Sequence, residues 1–198
     1  MDYKLKILSI VDANNGYVTT KEVSNNNIPK IYLTELVKEE KLVKVSRGFY
    51  MLPDCFEDDY YKIQLTNKYA VFSLETALYL YNYSDRIPIK YYVTVPLNYG
   101  GNLLKNKNVQ LIYTKKEWLN LGVKEIKSLY GLPIKVYDID RTICDIVKNK
   151  SKVDPEIFSK AMKEYASSKE KNISKLYEYA KELNILDEVR KYIEVMLW

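Results

Sequence analysis

The stretch TTKEVSNNNIPKIYLTELVKEEKLVKVSRGFYML, residues 19–52, decides the reading of the fold. Thr19 or Thr20 can cap a short helix over Lys21, Glu22, Val23 and Ser24, because a hydroxyl accepts from the free N–H groups of a first turn. Asn25-Asn26-Asn27 breaks that helix. Pro29 suits the first turn of the next one, where its missing N–H costs nothing. The spacing of Leu33, Leu36 and Val37 predicts a helix running to about Lys41. Leu42-Val43-Lys44-Val45 and Phe49-Tyr50-Met51-Leu52 flank Ser46-Arg47-Gly48, which predicts a β-hairpin. Upstream, Leu5, Ile7, Leu8, Ile10 and Val11 recur at helical spacing, so residues 2–13 form a helix that Asn14-Asn15-Gly16 stops. Helix, short helix, tight turn, helix, hairpin is the order of a winged helix-turn-helix.

In such a module the third helix can lie in the major groove of DNA and the hairpin, or wing, can touch phosphate or the minor groove. A projection at 100° per residue puts Ile31, Thr34, Glu35 and Lys38 opposite the buried face, flanked by Lys30 and Tyr32. Lys30 and Lys38 suit phosphates or guanine. Thr34 can bond a base edge, and Ile31 can touch a thymine methyl. Glu35 either accepts from cytosine or pairs with Lys38. Arg47 is the candidate wing contact. Thr20 and Lys21 at the short helix, and Lys44 and Ser46 beside the wing turn, complete the expected DNA-binding set.

The acidic stretch with Asp54, Glu57, Asp58 and Asp59 follows Pro53. It separates two regions of positive balance and reads as a linker over 53–60. This sets a domain at 1–52 and a second at 61–198. The second region reads as mixed α/β. Tyr69–Phe72, Tyr91–Val95 and Val109–Tyr113 are strand candidates. Ser73 can cap a helix over Leu74–Tyr81. A short helix is expected over Lys115–Leu121. Val123–Tyr130 and Leu132–Tyr137 flank Gly131 as a hairpin, and Asp140 can cap a helix over Arg141–Lys148. Asp154 with Pro155 starts a helical C-terminal segment whose stripes include Ile157, Ala161, Met162 and Tyr165, then Leu176 and Ala180, then Val189 and Ile193. The fold class is therefore α+β, a winged helix-turn-helix followed by a mixed α/β domain that ends in helices.

The 198 residues are 47% apolar and 29% charged, enough core for one or two domains and no sign of disorder. With no histidine, Ser-His-Asp and Cys-His mechanisms lack their base and imidazole metal sites are excluded. Cys55 and Cys144 are too few for a cysteine-only zinc site, and two lone cysteines suggest a reducing compartment. The N-terminus opens into an amphipathic pattern unlike a signal peptide, and no apolar run reaches the ~18 residues of a membrane span. A cytoplasmic protein without metal, cofactor or membrane partner is expected.

Residues 146–181 hold nine lysines against five acids. Lys148, Lys150, Lys152, Lys160, Lys163, Lys171 and Lys175 could form a second phosphate-facing surface. Asp138-Ile139-Asp140 has the spacing of a two-metal nucleotidyl-transfer site. No Gly-Ser pair is present to hold the phosphates, so Asp138, Arg141 and Asp145 read instead as a structural ion-pair cluster and no enzyme is expected.

The stretches Ile31-Tyr32-Leu33-Thr34-Glu35-Leu36-Val37-Lys38-Glu39, Val45-Ser46-Arg47-Gly48-Phe49-Tyr50, Ala70-Val71-Phe72-Ser73-Leu74-Glu75-Thr76-Ala77-Leu78-Tyr79-Leu80, Ser84-Asp85-Arg86-Ile87-Pro88, Tyr92-Val93-Thr94-Val95-Pro96, and Val136-Tyr137-Asp138-Ile139-Asp140-Arg141-Thr142-Ile143-Cys144-Asp145 follow one another along the chain. In that order they resemble the AbiEi family, the antitoxins of bacterial AbiE type IV toxin–antitoxin systems. Residues 39–41 depart from it, with Glu-Glu-Lys where many relatives carry a glycine that closes the recognition helix. The resemblance implies a repressor that binds inverted repeats in double-stranded DNA upstream of its own operon. It also implies neutralisation of a nucleotidyltransferase-like toxin of the same operon without a stable complex, and a role in abortive phage infection. Lacking a heptad run, the chain is expected to be monomeric in solution and to pair on DNA. The competing class is a nucleotide-handling enzyme or protein-interaction module with a winged-helix domain.

Overall fold

The computed structural model describes residues 2–65 and 67–196, with the side chains of Asn102 and Leu104 excepted. The ends of the expected domains at Met1 and Trp198 lie outside the described residues. The chain divides into two compact units, Met1–Leu65 with Lys127–Ile134, and Thr66–Ile126 with Lys135–Trp198.

In the first unit, α1 (Tyr3–Ala13) is capped by Asp2, whose carboxylate accepts from the Lys4 and Leu5 N–H groups. A short strand β1 (Tyr17–Thr19) follows, then α2 (Thr20–Asn25). The cap of α2 is Thr19. Its hydroxyl accepts from the Glu22 N–H at 3.2 Å while the Glu22 carboxylate accepts from the Thr19 N–H at 2.7 Å. This reciprocal box satisfies donors at both ends of the first turn and contributes about 1 kcal/mol.

Helix α3 spans Ile31–Lys38, shorter than the sequence spacing predicts, and Pro29 stands before it in a turn closed by Tyr32 N–H to Pro29 O at 3.3 Å. Its end explains the shortening. The Lys41 N–H donates to Leu36 O at 2.9 Å and the Glu40 N–H to Val37 O at 3.1 Å. Those two bonds make a Schellman stop, and the residue at its left-handed position is Glu40, with φ 57°. The stop forms with glutamate, not glycine, at its left-handed position.

The wing is β2 (Val43–Ser46) and β3 (Phe49–Met51), and the sheet order is β1-β3-β2, antiparallel throughout. Ile7, Val11, Val23, Leu33, Leu36 and Leu42 are almost wholly buried together, and each such side chain contributes roughly 1.5–3 kcal/mol. A second cluster gathers Tyr17, Phe49, Met51 and Leu132, with Tyr61 and Leu65 of α4 (Asp59–Leu65) against it. Within the stretch 53–60, Phe56 O accepts from the Tyr17 hydroxyl at 2.7 Å. Asp58 is fully buried, accepting from the Tyr61 N–H at 3.0 Å and from the Ser128 hydroxyl.

The second unit is built on a sheet of β4 (Val71–Phe72), β5 (Tyr91–Pro96), β6 (Val109–Thr114), β7 (Val123–Lys127) and β8 (Pro133–Tyr137), in the order β6-β5-β4-β8-β7. β5 is antiparallel to β4 and parallel to β6, and β4 is parallel to β8. Its helices are α5 (Leu74–Leu80), α6 (Ile139–Lys148), α7 (Pro155–Ser167), α8 (Ile173–Glu182) and α9 (Leu186–Met196). Ile143, Cys144, Ile146 and Val147 of α6 meet Ala161, Met162 and Tyr165 of α7, Leu176 and Ala180 of α8, and Val189 and Ile193 of α9 in one core. Asp154 and Asn172 cap α7 and α8 as expected.

Four local expectations are corrected. Lys115–Leu121 holds only a 3-10 turn, Lys116–Trp118, because Gly122 at φ 76° reverses the chain too soon for a helix. The strand expected from Tyr69 starts at Val71. Ser73 precedes α5 but caps nothing, its oxygen being engaged by the Thr94 hydroxyl at 2.8 Å. The cap of α6 is Asp138, which accepts from the Arg141 N–H at 2.9 Å. Asp140 lies inside the helix and accepts from the Tyr165 hydroxyl at 2.7 Å and the Asn172 N–H at 3.2 Å.

Candidate nucleic-acid interface

Helix α3 turns Leu33 and Leu36 into the core, which leaves Lys30, Ile31, Thr34 and Lys38 exposed on its opposite side. Ile31 is 58% exposed, a large apolar side chain at the start of a helix with no core to fill. Lys21, Lys44 and Arg47 are exposed as well.

The acids on α3 are dealt with internally. The Lys4 ammonium of α1 sits 2.8 Å from Glu35 and 2.5 Å from Glu39, and Lys41 is 3.2 Å from Glu39. Glu35 therefore pairs with Lys4, not with Lys38. Hydrogen bonds to Glu35 and then Glu39 push the Lys4 pKa up, and Lys4 followed by Lys41 pulls Glu39 down. Lys4 was not among the expected site residues, since nothing in its local sequence points across to α3. Lys4 and Lys41 together balance Glu35 and Glu39, so that Lys30 and Lys38 on α3 and Lys44 and Arg47 on the wing leave this face with positive charge.

The wing turn depends on Gly48. Its φ is 78°, and a Cβ there would stand 2.6 Å from the Thr20 hydroxyl oxygen. The Thr20 N–H donates to Gly48 O at 2.9 Å, which ties the turn to the start of α2. Thr20 is thus half-buried behind the turn. Ser46 differs from its neighbours: its hydroxyl oxygen is buried and has no hydrogen-bond partner among the described residues, so it faces inward rather than toward a ligand.

The seven lysines of the expected C-terminal face are scattered. Lys148 ends α6 and lies over the Trp118 ring, Lys150 and Lys152 form the next turn, Lys160 and Lys163 are on α7, Lys171 precedes α8 and Lys175 is within it. Lys160 is paired with Asp85, Lys171 donates to Ser168 O at 3.0 Å, and Lys150 is 4.0 Å from Glu188. Lys175 is 2.6 Å from Asp138 and 3.8 Å from Asp140. Lys152 and Lys163 are exposed.

Asp138 and Asp140 are 2% and 4% exposed, with the Lys175 ammonium held between them. Burial works against the Lys175 charge, yet the Asp138 carboxylate outweighs it and its pKa rises. Arg141, 1% exposed, reaches Asp145 at 3.1 Å and donates to Trp118 O and Leu121 O at 2.9 Å each. The expected cluster of Asp138, Arg141 and Asp145 is split: from Arg141 the Asp138 carboxylate accepts only the backbone N–H, while it pairs with Lys175 and accepts from the Tyr179 hydroxyl at 3.1 Å. Burial raises the Asp145 pKa, and Arg141 opposes that shift. Among the described residues, no group of three acids or cysteines is placed to hold a metal ion. No described helix is long and apolar enough to cross a membrane.

Among curated proteins no sequence matches the chain. In fold it is similar to the RV2827C protein from Mycobacterium tuberculosis, with a TM-score of 0.57 over 98% of this chain and 80% of that one, at 11% identity. Residues 6–53, which carry the helices and wing just described, match the model of a family of transcriptional regulators, the AbiEi antitoxins.

Proposed function

We propose that this chain is the antitoxin of a type IV toxin–antitoxin system and represses its own operon by binding inverted repeats upstream of it. The observation that carries the reading is the exposed row Lys30, Ile31, Thr34 and Lys38 on α3, on a module whose residues 6–53 match AbiEi regulators. The row has the chemistry of a reading helix: ammonium groups for phosphates or guanine, a hydroxyl for a base edge and an apolar side chain for a thymine methyl. Arg47 at the wing tip supplies a further phosphate or minor-groove contact. A two-fold DNA site implies two copies of the chain on the operator, monomers in solution that pair there. Neutralisation of the operon's nucleotidyltransferase-like toxin falls to the second unit and proceeds without a stable complex.

Two cellular assays test the two halves. A reporter fused to the DNA upstream of this gene is silenced by the wild-type chain and released by Lys30→Ala combined with Arg47→Ala. Co-expression with the neighbouring toxin gene restores growth, and the paired proteins do not co-purify. A reporter indifferent to the wild-type chain contradicts the repressor half. Continued growth arrest contradicts the antitoxin half.

A further inference from the structure

Trp118 is the only described tryptophan, and two lysines converge on its indole. The Lys148 ammonium lies 4.2 Å and the Lys115 ammonium 4.5 Å from the ring centroid. An ammonium over an indole face is attracted by the ring quadrupole, but that attraction leaves its full charge uncompensated. The local ledger of charge is lopsided. Arg141 is matched by Asp145 at 3.1 Å. Among the described residues the carboxylate paired with Lys115 is that of Glu117 at 3.7 Å, a side chain 67% exposed. Among the described residues, no carboxylate lies within 4 Å of Lys148. Lys148 is exposed, yet partial desolvation of its ammonium lowers its pKa, Arg141 and Lys115 push the same way, and Asp145 opposes them. Two ammonium groups lie against one indole ring, and the Arg141 guanidinium holds the Trp118 carbonyl at 2.9 Å. An arriving anion would relieve the repulsion between them.

We propose that Lys115, Lys148 and Trp118 form a phosphate-binding site on the second unit that grips the backbone of a single-stranded polynucleotide. The ammonium groups bind one phosphate group, and the indole provides the apolar edge along which the adjoining nucleotide lies. The site belongs wholly to the second unit and rests neither on α3 nor on an operator sequence.

The test uses the full chain with Trp198→Phe, so that Trp118 is the sole indole reporter. It is titrated with a short oligothymidylate and, separately, with inorganic phosphate. The oligonucleotide shifts Trp118 emission, and Lys115→Gln and Lys148→Gln each weaken that binding roughly three- to ten-fold, the net worth of one solvated hydrogen bond. Lys163→Gln, which removes an exposed charge on α7, serves as the matched control and changes affinity far less. Lys148→Gln also lowers the salt slope of binding by roughly 0.7, one released counterion on a single strand. A response to the oligonucleotide alone assigns the phosphate to a polynucleotide backbone, whereas an equal response to inorganic phosphate keeps the anion site and overturns its polynucleotide ligand. Silence of Trp118 toward both probes overturns the site, as does a Lys115→Gln effect no larger than that of Lys163→Gln. Lys115 is 54% exposed, so its variant remains informative even if Lys148→Gln unfolds on heating at a lower temperature.

Discussion

Helices α3 and α6 use the same kinds of polar side chain and put them to opposite ends. On α3 and at its start, Lys30, Thr34 and Lys38 are exposed and pair with no side chain among the described residues, while the acids Glu35 and Glu39 are held by Lys4. On α6, Asp138, Asp140, Arg141, Thr142 and Asp145 are all buried to 8% exposure or less, and the charged ones are paired. Burying charge is tolerated only when each group finds its counter-ion and hydrogen bonds, which makes such a cluster a fixed part of the architecture. The exposed lysines of α3 contribute little to folding and are available to a ligand. Sequence composition alone would rank α6, with its Asp-x-Asp-Arg, as the more chemical of the two. The burial pattern reverses that ranking.

The largest effect that could break this contrast is Arg141→Ala. It leaves Asp145 buried without its partner and two backbone carbonyls unbonded, and should destabilise the second unit by roughly 3–5 kcal/mol in urea unfolding. A loss below about 1 kcal/mol would mean that the α6 charges are not structural. Next come Lys30→Ala and Arg47→Ala. Each should weaken operator binding by roughly 1–3 kcal/mol if it touches a base, with no change in the unfolding midpoint. Destabilisation of similar size would place these side chains in the architecture instead. Gly48→Ala sharpens the account of the wing. It forces a side chain into a left-handed conformation against Thr20, and should cost about 1–2 kcal/mol, read by thermal unfolding. The smallest effect has the opposite sign. Glu40→Gly relieves the left-handed strain at the end of α3 and should stabilise the first unit by up to about 1 kcal/mol. Destabilisation instead would show that Glu40 makes a contribution beyond its place in the turn.

Much of the first unit was legible because its signals are local. The apolar spacing of Leu33 and Leu36, the Thr19 cap and the Gly48 turn each act within a few residues, and the outward row on α3 follows from helical geometry once Leu33 and Leu36 face the core. Strand β1 was not legible. Tyr17-Val18-Thr19 is too short to declare itself and is a strand only because β3 pairs with it, Tyr17 opposite Met51. The same holds for 127–134, a hairpin tip in sequence that packs with Tyr17 and Asp58 of the first unit. The sequence reading places the cap of α6 at Asp140. Tyr165 and Asn172, far along the chain, take Asp140 and leave the cap to Asp138. For the candidate site, the exposed lysines could be read from periodicity. The Lys4 pairing with Glu35 and the inward turn of the Ser46 hydroxyl could not, since both are fixed by packing between elements.

The central claim is that the positive outer face of α3 and its wing reads a particular DNA sequence. Fluorescence anisotropy with the duplex upstream of this gene, against a scrambled duplex at two salt concentrations, tests it most directly. The account predicts tight binding to the upstream duplex that falls steeply with salt, and much weaker binding to the scrambled one. Equal, weak affinity for both duplexes would contradict it.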